Sequence, residues 1–208
     1  EYKEKVIEMG VPQNMVFQIG PMIIDGIKKN KTLSKSNFEI LTGYKFGKKN
    51  ILVTYHPETL SEDYGLSGFL ALLKAIKQIE CNVLFTSPNA DEGGGNLLIK
   101  LKEFILEDPK KYFHISSLGQ MKYINALKLF DAVVGNSSSG IIEAPLIDIP
   151  VLNIGNRQAG RLRFGSVRDV TTDKEEIRKG LYQILSNNNY ILRNINKIDS
   201  LDSPSYKI

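Results

Sequence analysis

Short apolar runs alternate along the chain with longer segments in which apolar residues recur every three or four positions. Ile51-Leu52-Val53-Thr54-Tyr55, Val83-Leu84-Phe85-Thr86, Tyr112-Phe113-His114-Ile115, Ala132-Val133-Val134, Val151-Leu152-Asn153-Ile154 and Val167–Val170 predict strands, and the most apolar of them predict burial on both faces. Val16-Phe17-Gln18-Ile19, ended by Gly20, predicts a further short strand. Phe69, Leu70, Leu72, Leu73, Ile76 and Ile79 share one stripe, which predicts an amphipathic helix over residues 67–80. Helices are also predicted over 1–9, stopped by Gly10, and over 34–41, with Ser34 as cap and Gly43 beyond the end. Others run over 96–107, behind a glycine triplet at 93–95 read as a flexible surface loop, and over 121–130. Thr172-Asp173-Lys174-Glu175 matches a capping box and starts a helix to about Leu185. A helical segment follows Asn187-Asn188-Asn189, and the chain from Asp199 reads as a frayed tail.

Strands alternating with helices predict an α/β fold, a doubly wound and mostly parallel sheet. Ligands of such sheets bind beyond the carboxyl ends of the strands, near the point where strand order reverses. The strand exits are His56, Asn89, Ser116-Ser117, Asn136-Ser137-Ser138 and Asn156-Arg157. Four of these five carry a residue able to hold an anion or a sugar hydroxyl, and that coincidence outweighs any one motif.

Each exit has a chemical reading and a plainer one. Ser137-Ser138-Ser139-Gly140 lies between a strand and a helix start, where free N–H groups, hydroxyls and a glycine admit a phosphate. The same residues equally make a serine-capped turn with no ligand. Glu143, in the first turns of that helix, is placed to accept from both hydroxyls of a ribose, or is simply a carboxylate favoured by the helix dipole. Arg157 offers paired N–H donors to a diphosphate at a glycine turn; with Arg161 and Arg163 it also fits a solvated loop. His56, between a buried strand and Pro57, suits a donor to phosphate or an acid. His114, inside a strand, reads as structural.

Composition narrows the class. The chain has 208 residues, 42% apolar and 24% charged, with net charge +4, as expected of a globular protein. No apolar run reaches the roughly 18 residues of a membrane span. Cationic residues are scattered in short pairs, which argues against a nucleic-acid surface yet suits an anionic small ligand. The single cysteine, Cys81, reads as a small buried hydrophobe, and the cysteine usage fits the cytoplasm. A nucleophile elbow fails because Asn136, not glycine, stands two residues before Ser138. A P-loop fails for want of Gly-Lys-Ser/Thr. No Cys/His cluster has metal spacing, so no metal is expected. The first residue is Glu1, not Met, which reads as a piece of a longer protein.

Val133 to Arg163, with Tyr55-His56-Pro57-Glu58-Thr59 and Ser87-Pro88-Asn89-Ala90-Asp91, resembles the UDP-N-acetylglucosamine 2-epimerase family. Asn153-Ile154-Gly155-Asn156-Arg157-Gln158-Ala159-Gly160-Arg161 looks like its hydrolysing branch. The resemblance implies a Rossmann-like domain over residues 1–195, the carboxyl-terminal domain of a GT-B-like two-domain fold, with a tail over 196–208. By the same resemblance, Ser137 and Ser138 with Gly140 bind the diphosphate of UDP, and Glu143 holds the ribose. Arg157 and His56 contact the diphosphate, and His56 is the candidate catalytic group, assisting UDP departure. Asn89 lies near the nucleotide, and segment 115–120 borders the uracil. The partners implied are a UDP-sugar, the missing amino-terminal domain with the proton-transfer groups, and a second copy in a homodimer. No cofactor is implied, because elimination and hydration involve no net redox change. A non-hydrolysing epimerase, a GT-B glycosyltransferase and a non-catalytic nucleotide-sugar module remain the alternatives.

Overall fold

The computed structural model describes residues 2–163, 165–186 and Pro204. Six strands form one sheet: β1 Asn50–Thr54, β2 Asn82–Thr86, β3 Tyr112–Ile115, β4 Ala132–Gly135, β5 Val151–Ile154 and β6 Val167–Val170. Their order is β3-β2-β1-β4-β5-β6, and every neighbouring pair is parallel. Strand order therefore reverses between β1 and β4, and this seam is where a Rossmann-like sheet opens a crevice.

The helices are α1 Tyr2–Glu8, α2 Ile23–Lys29, α3 Lys35–Thr42, α4 Leu66–Ile76, α5 Gly94–Glu107, α6 Gly119–Leu129, α7 Ser138–Ile142 and α8 Lys174–Ser186. Because side chains alternate along a strand, the sheet feeds two cores. Ile51, Val53, Phe85, Val134 and Leu152 face α4, α5 and α8. Leu52, Leu84, Val133 and Val151 face α2, α3 and α6. Each such fully buried aliphatic side chain contributes about 1.5–3 kcal/mol through area removed from water. Tyr44 stacks on Phe130 with centroids 5.1 Å apart in the second core. Cys81 lies in the first core, where burial pushes its thiol up to about 12.

Most strands and helices form where the pattern places them; the differences have local causes. Val16–Ile19 is not a strand: a 3-10 turn at Gln13–Met15 precedes it, no strand among the described residues pairs with it, and Phe17 is 74% exposed. An isolated extended segment has no ladder to join. The stripe of α4 ends at Ile76, after which Gln78 and Ile79 donate to carbonyls three residues back and the chain tightens into a turn. The glycine triplet is not a loop. Gly93 caps α5 with φ +85°, while Gly94 and Gly95 form its first turn. A Cβ on Gly94 would stand 2.5 Å from the Asn89 carbonyl oxygen. The α8 cap sits one residue later than the capping box implies. Asp173 accepts from the N–H groups of Glu175 and Glu176, both at 2.9 Å, and Glu176 accepts from Thr171 N–H. Helix α2 has no clear stripe in the sequence to predict it. The helical segment after Asn189, the frayed tail and the boundary near residue 195 lie outside the described residues.

Candidate functional site

At the reversal, β1 and β4 run in register with Thr54 beside Gly135. A Cβ on Gly135 would lie 1.9 Å from the Thr54 carbonyl oxygen, and its φ is +134°. Only glycine lets the two strand ends approach so closely. The next residue, Asn136, is fully buried and stitches the loops together. Its Oδ1 accepts from His56 N–H at 2.7 Å, and its Nδ2 donates to His56 O at 2.9 Å. Its own carbonyl accepts from Gln158 Nε2 at 2.8 Å and from Arg157 Nη1 at 3.3 Å. One buried asparagine thus fixes the exits of β1, β4 and β5 against one another.

A cavity of about 480 Å³ opens above this seam. Thr54 and His56 line it from β1, and Thr86 and Ser87 line it from β2. Residues 116–120 and Tyr123 wall it from the β3 exit and α6, Ser139 and Glu143 from α7, and Ile23 from α2. The hydroxyls of Thr54 and Thr86 lie 2.7 Å apart, and Ser137 Oγ is 3.1 Å from Ser139 Oγ. The result is a hydroxyl-rich floor with one carboxylate, Glu143, on its rim.

Burial sets the protonation states. His56 Nδ1 accepts from the Asn89 backbone N–H at 3.1 Å, so the neutral ring carries its proton on Nε2. Burial, then the charge of Arg157, hold its pKa below the ordinary 6.5, with Asp91 opposing. His56 is therefore a neutral donor near pH 7. Glu143 is half-buried, and burial raises its pKa. Burial also raises the Tyr123 hydroxyl; Ser139 is near enough to act on it, yet the two do not meet in hydrogen-bond geometry.

The site residues read from the sequence separate into groups. His56 and Glu143 line the cavity itself, as do residues 116–120. Asn89 orients His56 through its backbone, while its side chain donates to Asp91. Ser137 is the residue before α7, without a side-chain cap bond, and Ser138 is the first helical residue. Gly140 is buried beneath that turn, near Val151 and Val133, and does not face the cavity. Arg157 lines a second, adjoining cavity, with its guanidinium held by the carbonyls of Pro57 and Asn136. His114 meets Ser87 Oγ through Nε2 at 2.9 Å, one step behind the wall. Because α7 is a single turn with little aligned dipole, the fixed positive charge at this edge comes from Arg157. Tyr123 has no site reading in the sequence, and Asn136, Ser139 and Gln158 stand there only inside motifs, with no role of their own. Asn136 was visible as the first polar residue after a buried strand, but only the fold shows that its amide bridges three loops.

The family model described as UDP-N-acetylglucosamine 2-epimerase matches residues 1–203. A GDP/UDP-N,N'-diacetylbacillosamine 2-epimerase (hydrolyzing) of Campylobacter jejuni is 36% identical over 171 residues, covering 81% of this chain and 44% of the relative. A UDP-N,N'-diacetylbacillosamine 2-epimerase (hydrolyzing) of Legionella pneumophila is 32% identical over 184 residues, 88% of this chain and 48% of the relative. The chain thus spans about half the length of the curated relatives it matches. Among solved structures, UDP-GlcNAc 2-epimerase from Neisseria meningitidis bound to UDP-GlcNAc superposes with TM-score 0.66 at 16% identity, over 97% of this chain and 54% of that one. The likeness identifies the sheet as a Rossmann-like half of a GT-B-like fold. Fold, the Gly-Asn-Ser-Ser seam and sequence identity agree, and the chain belongs to the UDP-N-acetylglucosamine 2-epimerase family.

Proposed function

We propose that the chain is the nucleotide-binding, carboxyl-terminal half of a hydrolysing UDP-N-acetylglucosamine 2-epimerase. The observation that carries this reading is the cavity at the β1–β4 reversal, where Glu143, the serine floor and the Nε2–H of a neutral His56 line one space beside Arg157. Uridine fits that space with its base against residues 116–120 and its ribose hydroxyls donating to Glu143. The diphosphate then lies over the α7 turn, toward His56 and Arg157.

In the reaction proposed, the C2 proton of the sugar leaves, UDP is eliminated across C1–C2, and water adds to the glycal with inversion at C2. The product is free N-acetylmannosamine or a related sugar. The role of this half is electrostatic: it stabilises negative charge growing on the departing diphosphate. Arg157 supplies fixed charge, and His56 Nε2–H donates to the leaving oxygen. The proton-transfer groups belong to the rest of the protein, so this half alone binds UDP without turnover.

Calorimetric titration with UDP tests the reading. Binding should weaken about tenfold in Arg157→Ala and in Glu143→Ala, as expected for the loss of one charge-assisted contact. Turnover by the 208 residues alone would overturn it. In the whole protein, a free epimeric sugar together with UDP supports hydrolysis, whereas a UDP-linked epimer would assign the non-hydrolysing branch. The hydrogen bond from Asn89 N–H to His56 Nδ1 supports a neutral, ordered imidazole in either branch.

A further inference from the structure

Residues in register on neighbouring strands share one face of the sheet, and one such row on the α7 side is polar. Thr54 stands beside Gly135, Gly135 beside Asn153, and Asn153 beside Asp169, across β1, β4, β5 and β6. Thr86 of β2 extends the row, its hydroxyl 2.7 Å from that of Thr54. Only over β4 does the row lack a side chain, because glycine occupies that position. A third and much smaller cavity, of about 10 Å³, lies there beneath the α7 turn. Thr54, Ser137, Asn153, Gly140, Val133 and Val151 line it.

Asn153 is only 1% exposed. The Asp169 carboxylate accepts from its Nδ2 at 2.6 Å and from Arg163 Nε at 2.9 Å. A carboxylate in that role offers acceptors alone, so the amide nitrogen faces β6 and Oδ1 faces back toward β4. Oδ1 is buried there with no hydrogen-bond partner among the described residues. A buried acceptor in that state is costly unless something donates to it.

Size and lining select the donor. A cavity of this volume is near the smallest that admits one water molecule, and it excludes anything larger. Among the described residues no acidic side chain lines it, so it lacks the charge that would hold a divalent cation. Thr54 and Ser137 bring hydroxyls, each already joined to one other hydroxyl and able to make a further bond. Cavities that stay dry are apolar, and this one is not.

We infer that a single resident water occupies this cavity, donating to Asn153 Oδ1 and hydrogen-bonded to the hydroxyls of Thr54 and Ser137. It stands in for the side chain that Gly135 lacks. Through it an unbroken chain of hydrogen bonds runs from Arg163 and Asp169 through Asn153 to Ser137 and Ser139. The arginine loop after β5 and the serine turn after β4 are thereby tied together beneath the first cavity.

Oxygen-17 relaxation dispersion counts long-lived internal waters without interference from hydroxyl protons, and Gly140→Ala is the displacing variant. Its methyl would point at Val151 and Val133, two walls of the same cavity, at the ordinary contact distances of 3.4 and 3.8 Å. One long-lived water should vanish from the count. The thermal midpoint should fall by about 2–4 °C, because Asn153 Oδ1 loses its donor, despite the gain that alanine brings to a helix. Asn153→Leu removes the acceptor and should lose the same water; should that variant not fold, Gly140→Ala decides alone. An unchanged water count in Gly140→Ala, or a midpoint that rises as on filling a dry void, overturns the inference. Neither readout involves a nucleotide, so the result is independent of the function proposed above.

Discussion

The exits of β4 and β5 are both turned by a glycine with positive φ, Gly135 at +134° and Gly155 at +71°, and both carry polar residues toward the same edge. They differ in how those residues are kept. The β4 exit is buried: Asn136 is inaccessible, the serines that follow are half-buried, and Glu143 has its pKa lifted by desolvation. The β5 exit stands outward, with Asn156 exposed and Arg157 leaning back onto two carbonyls. A hydroxyl or carboxylate wall depends on its surroundings for its hydrogen-bond state. A guanidinium keeps its charge in either setting, so it needs anchoring and not burial.

The largest test of that contrast exchanges each glycine for alanine. Gly135→Ala puts a methyl 1.9 Å from a backbone oxygen that cannot yield without parting β1 from β4. Denaturant unfolding should show a loss of about 4 kcal/mol or more, or no folded protein. Gly155→Ala meets side-chain atoms alone, the tip of Glu58 at 3.0 Å and the Thr172 methyl at 3.3 Å, and a left-handed backbone. It should lose about 1–2 kcal/mol, and similar losses at the two positions would erase the distinction.

A smaller effect comes from Asn136→Ala, which strands the buried polar groups of His56 that Asn136 now satisfies. About 2–3 kcal/mol of stability should go, and UDP binding should weaken beyond what Arg157→Ala causes, because the floor and the guanidinium anchor shift together. The smallest effect is electrostatic. An NMR titration of His56 should show a midpoint below 6.5, moving up in Arg157→Ala and down in Asp91→Asn. The sign also bears on stability. The unfolded ring binds its proton more readily than the folded one, so stability due to the neutral imidazole falls as pH drops below 6.5. A downward shift in Arg157→Ala, or an upward one in Asp91→Asn, would break the electrostatic account of the boundary.

Much of this was legible from the residues. Apolar runs located β1 to β5, β-branched Val167 and Val170 marked β6, and polar residues beyond the strand ends picked out His56 and Glu143 before any coordinates. Periodicity reads burial, and burial is what β1, β2, β4 and β5 share. What it missed depends on long-range geometry. The serine-glycine run does not reveal that a side chain at Gly140 would point beneath α7 toward Val151 and Val133. Gln158 reads as part of an exposed arginine loop, but the carbonyl of Asn136 draws its amide inside. Val16–Ile19 has the composition of a strand and no neighbouring strand among the described residues. Sequence records propensity; pairing is supplied by the rest of the molecule.

The stitch at Asn136 joins side chain and backbone groups 80 positions apart in sequence. No local contact can make it, so the cavity exists only after β4 has docked beside β1 and the intervening βαβ units have closed, a costly long loop in folding terms. The pocket therefore assembles late and dissolves with the whole sheet. A nucleotide that binds there as proposed should be coupled to global unfolding, and hydrogen exchange should show added protection at the centre of the sheet as well as at the amides it touches.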